Sequence, residues 1–122
     1  MIHATAVVSP DADIHPTATI GPYVVIEGAV RIGAGTRVMA HAVLRGATEI
    51  GERNVIHFGA VLGGEPQDLA FAGGEAFLRI GDDNVFREHA TVHCGTVAGS
   101  TTVIGHGNYF MQSAHVAHNC RI

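Results

Sequence analysis

Ile14-His15-Pro16-Thr17-Ala18-Thr19-Ile20-Gly21-Pro22-Tyr23-Val24-Val25-Ile26-Glu27-Gly28-Ala29-Val30-Arg31-Ile32 is the stretch that decides the fold. Its residues Ile14, Ile20, Ile26 and Ile32 fall six apart, and Ala18, Val24 and Val30 follow the first three at a distance of four. An α-helix repeats near 3.6 residues and a simple strand at two, so neither accounts for this spacing. The same register extends back through Val8 to Ile2 and forward through Val38, Leu44, Ile50, Ile56 and Leu62. Its second, mostly small position continues through Thr36, Ala42, Thr48, Asn54 and Ala60. Such a period belongs to a parallel β-helix of hexapeptide repeats, in which about three repeats close one coil. The expected class is all-β.

The register then lapses twice. Position 68 is Asp68 and position 74 is Gly74, and a lone carboxylate inside an apolar prism would be costly. Residues 64–78 therefore read as a loop thrown out from a corner. Ile80, Phe86 and Val92 resume the register, residues 97–102 read as a second loop, and Ile104, Phe110, Val116 and Ile122 resume it again. Excursions of twelve and six residues are whole numbers of repeats. Leu62, Val92 and Val116 should then stack on one face, drawing Asp68, His93, His115 and His118 to one side. Long loops on a regular scaffold usually carry function.

Composition narrows the classes. The chain has 122 residues, too few for more than one domain. Its mean hydropathy is +0.25, with 15% charged residues. That is too apolar for disorder, yet no run is long enough for a membrane span. No basic-then-apolar leader is visible. Two cysteines, Cys94 and Cys120, suit reduced thiols in the cytoplasm. All seven basic residues are arginine, without a basic cluster, which argues against nucleic acid.

Nine histidines are many for this length. His3, His15, His41, His57 and His106 have no obvious polar partner at matching register and read as surface residues. His93 and His115 follow and precede inward valines and should project outward, His118 lies at the next corner, and His89 belongs to an earlier one. Clustered imidazoles suit general-base catalysis, or a three-histidine metal site with an open position.

The segment Ser113-Ala114-His115-Val116-Ala117-His118-Asn119-Cys120 resembles the UDP-N-acetylglucosamine O-acyltransferases that begin lipid A biosynthesis, a hexapeptide-repeat family. Also similar are His15-Pro16-Thr17-Ala18, Gly64-Glu65-Pro66-Gln67-Asp68-Leu69, Arg87-Glu88-His89-Ala90-Thr91-Val92-His93 and Gly95-Thr96-Val97. The resemblance implies a left-handed β-helix, a homotrimer with grooves between subunits, and no cofactor. It implies transfer of a 3-hydroxyacyl group from acyl carrier protein to the 3-hydroxyl of UDP-N-acetylglucosamine. His118 would be the general base, with Asp68, His93, His115 and Gln67 binding substrate. Three departures stand out: Asn119 where many relatives carry aspartate, Ala70 where some carry lysine, and Cys94 where arginine is common. The family also continues through further coils and a helical region, so residues 1–122 are expected to be its N-terminal portion, truncated at the C-terminus. Two other classes compete. One is a metal enzyme resembling the γ-class carbonic anhydrases, although His115 and His118 are spaced more closely than that family's pair. The other is a non-catalytic β-helix assembly module.

Overall fold

The computed structural model describes residues 1–122 and contains sixteen short strands and no helix. Every strand pairing is parallel, and the strands form three sheets. The chain is a left-handed parallel β-helix whose three sheets are the sides of a prism. No helix is long and apolar enough to cross a membrane.

The first side, here the valine face, stacks β1 (Val7–Val8), β4 (Val25–Glu27), β7 (Val43–Arg45), β10 (Val61–Gly64), β13 (Thr91–His93) and β16 (His115–Val116). The second, the charged face, stacks β2 (Asp13–Ile14), β5 (Arg31–Ile32), β8 (Ala47–Ile50), β11 (Phe77–Ile80) and β14 (Thr101–Ile104). The third stacks β3 (Thr19–Ile20), β6 (Arg37–Val38), β9 (Val55–Ile56), β12 (Val85–Phe86) and β15 (Tyr109–Phe110).

The six-residue register is the core. Ile20, Ile26, Ile32, Val38, Leu44, Ile50, Ile56, Leu62, Ile80, Phe86, Val92 and Ile104 are all at most 3% exposed, within one apolar cluster. The ring of Phe110 lies on that of Phe86 with centroids 4.8 Å apart. The small register is filled differently at one corner, by a polar ladder. Asn54 Nδ2 donates to the Gly81 carbonyl, while Asn54 Oδ1 accepts from the Asn84 amide, both at 2.9 Å. Asn84 repeats the pattern with the Gly105 carbonyl and the Asn108 amide. Each asparagine thus satisfies backbone groups that a corner leaves without a strand partner, which is why amides are tolerated in the interior. The glycines after the inward aliphatics have a similar local reason. A Cβ on Gly33, Gly51 or Gly81 would lie 2.6 Å from backbone atoms of the next coil.

Leu62 pairs with Val92, and Val92 with Val116, in unbroken inward register across both excursions. Both excursions leave the corner that follows the valine face, between β10 and β11 and between β13 and β14. Both end two residues earlier than the sequence indicates, and the second also begins earlier, directly after β13. Phe77 and Leu78 open β11 and pair with Ala47 and Thr48, and Thr101 and Thr102 in turn pair with Phe77 and Leu78. Leu78 and Thr102 are buried at the small register position, so the coil resumes two residues before its aliphatic marker.

The scattered histidines are also more engaged than expected. His3 Nδ1 and His15 Nδ1 accept from the backbone amides of Thr5 and Thr17, and His106 Nδ1 accepts from that of Asp82. The His41 ring stacks on Tyr23 at 5.3 Å. Three of these partners are backbone groups at corners, which repeat spacing does not reveal.

Candidate functional site

The histidines reach one corner because of strand alternation. Thr91 and His115 are paired neighbours whose side chains point outward, beside the inward pair Val92 and Val116. Thr91 Oγ1 and His115 Nδ1 are 2.8 Å apart, a hydrogen bond that fixes the His115 ring. His93 follows Val92 and pairs with Gly64 across an irregularity between Leu62 and Gly64. The two approach closely, and a Cβ on Gly64 would stand 3.2 Å from His93 Cδ2, so any larger residue would press on that ring. The rings of His93 and His115 meet edge to face with centroids 4.6 Å apart.

His118 sits in the turn after β16, and the first excursion brings Asp68 to it. His118 Nε2 and Asp68 Oδ2 are 3.8 Å apart, with both side chains about one-third exposed. That separation is too long for a hydrogen bond. Asp68 is held from behind: its Oδ1 accepts from the Ala70 amide and its carbonyl from the Phe71 amide, both at 2.9 Å. On the other side of the ring, His118 Nδ1 is 3.0 Å from Asn119 Oδ1. That oxygen also accepts from the Thr96 amide of the second excursion, at 3.0 Å. The departure at Asn119 therefore costs the site a charge but not its acceptor.

His93 is held below its ordinary value of 6.5, chiefly by burial and then by the neighbouring His115 and His118. An imidazole so placed stays neutral near pH 7 and keeps a lone pair. Burial pushes the Cys94 thiol up, the opposite of an activated nucleophile.

Of the residues singled out in the sequence, the structure groups His93, His115, His118 and Asp68 at one corner. Gln67 is exposed on the first excursion, and no hydrogen bond ties it to them. Thr91 was quoted only within a motif and given no role, although its signal was available: it precedes the inward Val92 as His115 precedes Val116. Thr96 was quoted only as part of a motif, and its role depends on a backbone amide. The metal reading needs three converging donors, and no group of three or more His, Cys, Asp or Glu side chains is so arranged.

Residues 29–64 match the family model described as bacterial transferase hexapeptide (six repeats). The chain is 47% identical over 120 residues to the acyl-acyl-carrier-protein:UDP-N-acetylglucosamine O-acyltransferase of Psychrobacter sp. (strain PRwf-1), covering 98% of this chain and 46% of that protein. The protein of the same name from Thermodesulfovibrio yellowstonii is 43% identical, with 99% and 47% covered. Among solved structures, the UDP-N-acetylglucosamine O-acyltransferase of Moraxella catarrhalis RH4 superposes with a TM-score of 0.97 at 41% identity, over 99% of this chain and 48% of that one. This chain spans about half the length of the curated relatives it matches.

Proposed function

We propose that this chain is the base-bearing N-terminal portion of an O-acyltransferase that moves a 3-hydroxyacyl group from acyl carrier protein to the 3-hydroxyl of UDP-N-acetylglucosamine. The observation that carries the reading is the meeting of His118 and Asp68 at 3.8 Å across an excursion of the coil, in a chain 47% identical to a protein named for that reaction. His118 acts as the general base. Its Nε2 takes the proton of the attacking hydroxyl as the oxygen adds to the thioester carbon. Collapse of the tetrahedral adduct breaks the carbon–sulfur bond, and the same proton passes to the departing sulfur. Only the acyl group changes partner, so the step calls for no redox cofactor.

Asp68 accepts hydrogen bonds from the sugar hydroxyls and orients them toward His118. His93, neutral in its half-buried position, and His115, steadied by Thr91, line the same groove, and Gln67 on the first excursion contacts the sugar nucleotide. The enzyme works in the cytoplasm as a homotrimer, with a second copy closing the groove along the valine face. In support of that contact, Val25, Val43 and Val61 form an outward apolar row leading to Thr91 and His115.

The test is transfer of a 3-hydroxyacyl group from its carrier protein to UDP-N-acetylglucosamine by His118→Ala. The rate is expected to fall by about 10²- to 10⁴-fold, with the β-rich circular dichroism and the assembly unchanged. Normal turnover in that variant rules His118 out as the base.

A further inference from the structure

We propose that the second excursion sets the proton position on His118, through a relay running from the Thr96 backbone N–H to Asn119 Oδ1 and on to the His118 ring. The inference rests on His118 being the base, and it makes Asn119 and Thr96 positioning residues. The argument begins at the peptide group, which has no ambiguity. A backbone N–H only donates, so the Asn119 atom 3.0 Å from Thr96 N is the amide oxygen rather than the amide nitrogen. An amide oxygen only accepts, so His118 Nδ1, 3.0 Å away, carries the ring hydrogen. A neutral imidazole has one N–H, which leaves Nε2 with its lone pair on the side facing Asp68.

The opposite amide flip would set the Asn119 NH₂ group against the Thr96 N–H, donor against donor. It would also offer His118 Nδ1 a donor in place of an acceptor, moving the ring hydrogen to Nε2. There it faces the groove, and the nitrogen can no longer take a proton from a hydroxyl. A carboxylate at this position has no wrong flip, because both of its oxygens accept. The Thr96 contact thus matters in this chain because residue 119 is asparagine.

The same part of the chain holds Asn119 by its backbone. Asn119 adopts φ 62°, a left-handed conformation that asparagine tolerates better than most residues. Its amide donates at 2.8 Å to Thr102 Oγ1 in β14, the strand that the second excursion delivers. The excursion is itself tied down. Ser100 Oγ donates to the Val97 carbonyl at 2.6 Å, and the Gly99 amide reaches the Glu75 carbonyl of the first excursion at 2.8 Å.

The experiment is nitrogen-15 NMR of the histidine rings in the 122-residue chain, above the pH at which they protonate. His118 is expected to show Nδ1 in the N–H form and Nε2 in the lone-pair form. Thr96→Pro removes the backbone donor and should move His118 toward the tautomer mixture of free imidazole. Adding Asn119→Asp to that variant should restore the Nδ1–H form, since a carboxylate needs no amide to select its flip. If Thr96→Pro does not fold, Asn119→Ala removes the acceptor and should cause the same shift. In enzyme competent for transfer, Thr96→Pro should lower kcat about tenfold or more with KM little changed, and Asn119→Asp should recover most of it.

An Nε2–H His118 in the unaltered chain overturns the relay, as does a tautomer indifferent to both Thr96→Pro and Asn119→Ala. The tautomer is read without turnover. Normal transfer by His118→Ala alongside the expected spectra would therefore sink the functional reading and spare the relay. Loss of transfer in His118→Ala with an unresponsive tautomer would do the reverse.

Discussion

The valine face and the charged face share one interior and differ outside. In the middle coils the six-residue register of both is buried and aliphatic, as in Leu44 and Leu62 on one and Ile32 and Ile50 on the other. Outward, the charged face alternates sign up the coils, with Asp13, Arg31, Glu49 and Arg79 in register. Arg31 is 3.6 Å from Asp13 and 3.5 Å from Glu49, and Arg79 is 3.4 Å from Glu49. All four side chains are at least half exposed, so these pairs add little stability, but they suit a surface that stays in water. The valine face instead presents half-buried valines that end in Thr91 and His115, and the corner beyond it carries both excursions. The interior builds the scaffold, and the outward row assigns each side its task.

Four measurements would sharpen or break this contrast. The largest effect lies inside, where the faces should not differ. Leu62→Ala beneath the valine face and Leu78→Ala beneath the charged face should each cost about 2–5 kcal/mol in denaturant unfolding. Markedly unequal costs would refute a shared interior. Outside, Val43→Glu should weaken association between copies about tenfold or more in sedimentation, by setting a charge in an apolar contact. Arg79→Glu on the charged face should leave association alone. If both variants assemble normally, the valine face is not where copies meet.

Smaller still is the ladder itself. Glu49→Ala removes two ion pairs yet should cost under about 1 kcal/mol, a loss that fades in high salt. The smallest effect is the pH dependence of the valine face. His93 is held below 6.5 in the folded chain, so the unfolded chain takes up its proton first as the solution is acidified. Its contribution to stability is whole above about 6.5 and declines as pH falls through the folded value. The thermal midpoint should track this fall, and His93→Asn should flatten it.

Sequence reading went further for the scaffold than for the site. The ladder was legible because burial repeats with the coil, the first excursion because Asp68 and Gly74 stood at inward positions, and the second because the register broke at Ala98-Gly99-Ser100. Their ends were misjudged because Leu78 and Thr102 fill the small register, whose residue types are too mixed to mark where a strand begins. His93, His115 and His118 were visible as a set, since whole-repeat excursions preserve facing. The meaning of Asn119 was not visible. As a residue type it reads as a lost charge, and only its oxygen's distances to Thr96 N and His118 Nδ1 show an acceptor retained.

By itself, then, the sequence determined the prism, its register and the side on which the imidazoles collect, because inward positions tolerate only apolar or self-satisfied groups and that constraint repeats along the chain. Tertiary structure alone decided which ring nitrogen of His118 faces Asp68, what steadies His115, and which backbone amides the other histidines cap. These depend on hydrogen bonds between coils and within corners, where a donor is a peptide group that every residue except proline carries.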